Sequence, residues 1–175
     1  MAELDAEVTL RAPTMDDVPL LDAWRGDPVA EGTYNDFGLG RRGSYRDAVA
    51  AGTLTDGNGG LLMVVAGDEP IGTVTWRRAS YGPTLESACW NIGISLVPAG
   101  RGRGIGGIAQ RLLADHLFAT TDVNRIEAST DVTNVPEQRA LEKAGFVREG
   151  VLRGAQFRAG AHHDMVGYSR LRSDP

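Results

Sequence analysis

Between Ser95 and Leu113 the chain reads SLVPAGRGRGIGGIAQRLL, with five glycines between Gly100 and Gly107. A stretch so poor in side chains adds nothing to a core. Yet it leads straight into Ile105, Ile108, Ala109, Leu112, Leu113 and Leu117, whose i, i+3, i+4 spacing predicts an amphipathic helix. The fold must therefore present a helix N-terminus at an open glycine loop. Such an end points backbone N–H groups and the positive pole of the helix dipole at one spot, which suits a pyrophosphate. Two overlapping patterns compete for it. Gly102, Gly104 and Gly107 spell G-x-G-x-x-G, a dinucleotide fingerprint, while Arg101, Gly104 and Gly106 spell R-x-x-G-x-G.

The surroundings choose between them. GLLMVVAGDEPIGTVTWRR predicts a hairpin, two β-branched runs around the turn residues Gly67-Asp68-Glu69-Pro70. LESACWNIGISLVP predicts the next strand, and Pro98-Ala99-Gly100-Arg101 separates it from the relevant glycines. A dinucleotide fold needs a buried strand running almost directly into the first glycine and an acid ~20 positions on. Glu127 lies near that distance, but an antiparallel hairpin precedes the loop and only about 70 residues follow it, too few for a doubly wound sheet. R-x-x-G-x-G therefore carries the function, with Arg101 and Arg103 adding charge-assisted hydrogen bonds.

Elsewhere EVTLRAP predicts a first strand and TMDDVPLLDAWRGDP a helix capped by Thr14. Residues 26–60 are rich in Gly, Asp and Asn and read only as a short helix around Tyr45–Ala51. NRIEASTD predicts a strand, and NVPEQRALEKAGF a helix with Pro136 in its first turn and Gly145 as its stop. FVREGVLRG and DMVGYSRLR close the chain as strands around RAGAHHD, a predicted hairpin tip carrying His162 and His163. The order is mixed α/β (α+β), expected as a single domain over residues 1–175.

A net charge of −5 argues against general attraction to nucleic acid or an anionic membrane. No apolar run approaches the ~20 residues of a membrane span, and the acidic N-terminus shows no export pattern. The single cysteine, Cys89, has no partner for a disulfide or a structural zinc, so no metal is expected. A cytoplasmic protein is the expectation.

Three segments in order carry a family resemblance: WNIGISLVPAGRGRGIGGIAQRLLADHLF, RIEASTDVTNVPEQRALEKAGFVREGVLRG and DMVGYSRL, preceded by VTLRAPTMDDVPLLDAWRGDP. Together they resemble the GNAT-superfamily N-acetyltransferases, most closely the branch of the ribosomal-protein N-terminal acetyltransferases. The resemblance implies a central, mostly antiparallel sheet splayed at its middle strands and flanked by helices. It also implies direct transfer of acetyl from acetyl-CoA to a primary amine of a small molecule or peptide, and possible homodimers. By the same resemblance Ile94, Ser95, Leu96 and Val97 offer backbone bonds to pantetheine and to the developing oxyanion. Arg101, Gly102, Arg103, Gly104, Ile105, Gly106 and Gly107 hold the pyrophosphate, Asn134 bonds the cofactor arm, and Lys143 reaches distal phosphates or faces solvent.

The chain departs from the family where protons move. The family's tyrosine acid is replaced by Leu141, the branch's serine by Glu137, and a glutamate base of some relatives by Asn91. Glu86, Asn91, Asn134 and Glu137 are the candidate catalytic residues, with Asp131 a further carboxylate and Tyr34, Tyr81 and Ser129 further hydroxyls. Trp90 is the candidate pocket aromatic. The missing acid and base keep open a second reading, a non-catalytic acyl-CoA-binding domain.

Overall fold

The computed structural model describes residues 7–39 and 43–175, so the expectation drawn from the extreme N-terminus falls largely outside it. In spatial order the sheet runs β1 (Val8–Arg11), β3 (Gly59–Ala66), β4 (Glu69–Ser80), β5 (Ala88–Leu96), β6 (Arg125–Asp131), β8 (Ala161–Leu171) and β7 (Val147–Arg158). A two-residue β2 (Thr55–Asp56) flanks β3. Neighbours are antiparallel except β5 and β6, which the helix α4 (Ile105–Thr120) joins in parallel.

That parallel pairing lasts for two residue pairs, Trp90 with Ile126 and Asn91 with Glu127. Beyond them the strands part, leaving two facing edges without ladder partners. The resemblance implied such a splay, and here it has a definite starting point.

Periodicity explains how the helices cover the sheet. On α4, Ile105, Ala109, Leu113 and Leu117 recur every four residues and meet Val74, Trp76, Ile92, Ile126 and Val166 on one sheet face. Truncating fully buried Leu113 to alanine would cost ~2–5 kcal/mol. Opposite, Leu21 and Trp24 of α1 (Val18–Trp24) pack on Leu61, Met63 and Val65. Before α1, Asp17 closes a capping box with Thr14 and takes a bidentate contact from Arg11 at 2.7 and 2.8 Å. The helix α5 (Val135–Lys143) ends before Gly145, whose φ of +88° stops it as expected. Two short helices, α2 (Pro28–Glu31) and α3 (Arg46–Ala50), occupy the segment whose pattern is least legible.

Several boundaries differ from expectation for local reasons. The β3–β4 turn shortens to Gly67-Asp68, and Pro70 joins β4. Leu85–Ser87 form a 3-10 turn, so β5 starts at Ala88. β7 runs on to Arg158, and Ala159-Gly160 make the turn, which puts His162 and His163 inside β8 rather than at the tip. Trp90 is a core residue at 7% exposure and donates Nε1–H to Thr121 Oγ1 at 3.2 Å.

Candidate active site

Where β5 and β6 diverge, a cleft of about 620 Å³ opens. Its walls are Ile92–Ile94 and Leu96 of β5, Ala128–Asp131 of β6, the glycine loop, one face of α5 and the segment Glu31–Asn35.

The strand edge of β5 supplies backbone groups. The Ile94 carbonyl accepts from Asn35 Nδ2 at 3.2 Å and the Leu96 carbonyl from Arg101 Nε at 2.8 Å, so both face the open edge. A strand residue's N–H points to the same side as its C=O, which brings the Ile94 and Leu96 N–H groups to the cleft. Ser95 and Val97 turn the other way: the Ser95 carbonyl lies against Gly72 of β4, and Val97 N–H donates to the Ile71 carbonyl. Both border a smaller cavity of about 120 Å³ instead. Two of the four strand residues expected at the cofactor thus offer their backbone to the cleft.

The glycine loop is as open as its sequence suggests. Gly102 and Gly104 adopt φ of +71° and +78°, and a Cβ on either would meet nothing within 4 Å. Gly104 caps α4 and Gly106 and Gly107 form its first turn, all three lining the cleft. Ile105 points into the core at 3% exposure.

Both arginines of the loop are engaged within the protein. Arg101 lines the cleft, but Nη2 lies 2.6 Å from the Ala30 carbonyl and 3.1 Å from that of Val29, so its guanidinium fastens α2. Arg103 donates to the Ala99 carbonyl at 3.2 Å and does not line the cleft. The cations that do face it on α5 are Lys143 and, one turn earlier, Arg139. Sequence reasoning passed over Arg139, although its i, i+4 relation to Lys143 on the helix beside the loop was a usable signal.

Asn134 caps α5 and donates Nδ2–H to Thr130 Oγ1 at 2.9 Å. One turn on, Glu137 lies in the cleft against Gln110 of α4, which is 1% exposed and donates to the Gly106 carbonyl. Burial pushes the Glu137 carboxyl up to about 7, only partly opposed by its hydrogen bond with Gln110. Leu141, where the family's tyrosine stands, is fully buried.

Other candidates stand apart from this arrangement. Glu86 is exposed on the 3-10 turn before β5 and does not line the cleft. Asn91 also lies outside it, its Nδ2 3.3 Å from Glu127 Oε1, while Tyr81 donates to Glu127 Oε2 at 2.6 Å. Asp131 borders the cleft but is spent: Arg158 Nη2 lies 2.6 Å from Oδ2, and Thr133 donates N–H and O–H to Oδ1. Burial alone would raise the Asp131 carboxyl, but these donors outweigh it and hold it at about 2. Tyr34 and Ser129 do line the cleft.

Among the described residues no group of three or more His, Cys, Asp or Glu is placed to hold a metal ion. Nor is any helix among them long and apolar enough to cross a membrane.

Comparison with known proteins bears on the family and the fold. Residues 7–147 match the family described as Acetyltransferase (GNAT) domain. The Probable N-acetyltransferase YjcK of Bacillus subtilis (strain 168) is 38% identical over 92 residues, 53% of this chain and 49% of that protein. The chain thus spans about half the length of that relative. RimL, a ribosomal L7/L12 alpha-N-protein acetyltransferase solved in complex with coenzyme A, superposes with a TM-score of 0.78 at 21% identity, covering 97% of this chain and 96% of that one. Spermidine N-acetyltransferase from Vibrio cholerae, solved with CoA and spermine, gives 0.77 at 20% identity, with 95% and 96% covered. At these identities the two structures speak for the fold.

Proposed function

Because the chain belongs to the acetyltransferase (GNAT) family, we propose that it transfers acetyl from acetyl-CoA directly to a primary amine, as a single domain over residues 1–175. One observation carries the reading. The unpaired β5 edge, with the N–H groups of Ile94 and Leu96, and the glycine-built N-terminus of α4 open into the same cleft.

On this reading the pantetheine arm lies along Ile94 and Leu96, and the Ile94 N–H stabilises the thioester oxygen as it gains charge. The pyrophosphate rests on the N–H groups of Gly102–Gly107, with Arg139 and Lys143 near the distal phosphates. Asn134 orients the arm. Glu137, protonated at the pH where its carboxyl begins to titrate, returns a proton to the departing thiolate in place of the absent tyrosine and serine. The amine loses its proton to water in the cleft, and positioning supplies the rest of the rate. A cytoplasmic setting belongs to the same proposal.

The acceptor end of the cleft favours a particular kind of amine. Tyr34, Asn35, Ser129 and Gln156 are uncharged, Asp131 is already neutralised by Arg158, and the Glu31 carboxylate accepts from the Gly26 N–H. This supports an acceptor whose body beside the amine is uncharged over a polycation.

The test is release of free thiol from acetyl-CoA across a panel of primary amines. Turnover with at least one amine is expected. Tight acetyl-CoA binding with no thiol release for any of them would overturn the reading and leave a binding domain.

A further inference from the structure

One wall of the cleft is not a helix or a strand but the loop Gly32–Asn35, and it is fastened from two sides. On one side Arg101 holds the carbonyls of Val29 and Ala30 just ahead of Gly32. Gly32 has φ +73°, and a Cβ there would lie 3.0–3.2 Å from the Arg101 guanidinium. On the other side Arg158, from the β7–β8 hairpin, donates Nη1–H to the Tyr34 carbonyl at 3.4 Å and sits 5.4 Å from the centre of its ring.

Arg158 and Asp131 are an unusual pair for such a wall, with side chains only 4% and 2% exposed. Burying two charges costs much of what their attraction returns, so stability alone is a weak reason for this arrangement. Its connections suggest another reason. Asp131 orders Thr133 through two hydrogen bonds, the Thr133 carbonyl accepts from the Tyr34 hydroxyl at 3.2 Å, and the Tyr34 carbonyl accepts from Arg158, which returns to Asp131. The ring closes on itself across β6, the hairpin and the loop. His163 stands beside it, Nδ1 3.4 Å from Asp131 Oδ2 and Nε2 3.1 Å from the Arg158 carbonyl. Gln156 Oε1 accepts from Arg158 as well.

We propose that the buried Asp131–Arg158 pair positions the acceptor wall, fixing where Tyr34 and Asn35 stand at the mouth of the cleft and so which amine reaches the acetyl carbon. The proposal rests on the acetyltransferase reading above. Neither charge touches the reacting atoms; both act through the loop.

Two variants test it without removing the pair. Arg158→Lys keeps a cation for Asp131 but lacks the second arm that reaches Tyr34. Thr133→Val removes the hydroxyl that donates to Asp131 and leaves Tyr34 itself intact. In each, KM for the best acceptor should rise about tenfold with kcat little changed, while the acetyl-CoA Kd measured by calorimetry moves less than about twofold. Amide hydrogen exchange at residues 32–36 should quicken in both. Folded variants with unchanged acceptor KM and unchanged exchange overturn the proposal, as does a parallel loss of acetyl-CoA affinity. Absence of turnover in the unaltered protein would instead defeat the acetyltransferase reading, and the exchange measurement would still decide whether the pair holds the loop.

Discussion

Arg101 places Nη2 2.6 Å from the Ala30 carbonyl oxygen and Nε 2.8 Å from that of Leu96, bridging α2 and the splayed strand β5. Arg101→Ala should therefore lower stability by ~1–3 kcal/mol, because three carbonyls lose a charged donor. Arg101→Lys should recover only part of this, since a lysine cannot fork between carbonyls. Urea denaturation reads the effect. A variant of unchanged stability that loses acetyl-CoA affinity would return Arg101 to the pyrophosphate.

Gly104 combines an open surface with φ +78°. Gly104→Ala should cost ~1–2 kcal/mol of stability from the left-handed backbone and also weaken acetyl-CoA, because a methyl would stand where the phosphates approach. Gly106 has no positive φ and clears its neighbours by 3.8 Å or more. Gly106→Ala should leave stability equal or raise it by up to ~1 kcal/mol. Denaturation midpoints of the two variants compared side by side check the contrast.

The Glu137 carboxyl, raised to about 7, makes stability fall with pH. The folded chain keeps a proton that the unfolded chain releases near ~4.3, so its contribution is complete below that value, shrinks as pH rises through about 7 and is then gone. Glu137→Gln should flatten this slope in urea midpoints taken from pH 4 to 8. The same change should lower kcat ~100-fold with little effect on acceptor KM, and kcat of the unaltered protein should decline above neutral pH.

Asp131 and Glu149 behave in the opposite sense. Thr133 and Arg158 hold the first at about 2, and Arg125 holds the second at about 2. Their stabilisation is present above ~pH 4 and disappears as pH falls through about 2. Asp131→Asn should reduce the acid-side loss, measured by circular dichroism between pH 5 and 2. An acid transition identical to that of the unaltered protein would show that this pair does not govern acid unfolding.

Local pattern made much of the site legible in advance. The glycine loop, the 3.6-residue period of α4 and the Pro136-to-Gly145 frame of α5 are short-range signals, and the elements stand where those signals put them. Strand alternation in WNIGISL told which residues share a face but not which edge would open, so Ser95 and Val97 were grouped with Ile94 and Leu96. Glu86 was misplaced because Leu85–Ser87 read as strand up to the point where the backbone turns. The acceptor wall was illegible for a different reason. Its fastenings join Ala30 to Arg101 and Tyr34 to Arg158, 71 and 124 positions apart, and no window of sequence contains both ends.

The eight residues from Pro28 to Asn35 are tied at one end to the glycine loop and at the other to the hairpin. One short length of chain therefore answers to both halves of the cleft. Loosening one fastening leaves the segment held at the other, so a change at the Arg158 end reaches Tyr34 without freeing Ala30 from Arg101.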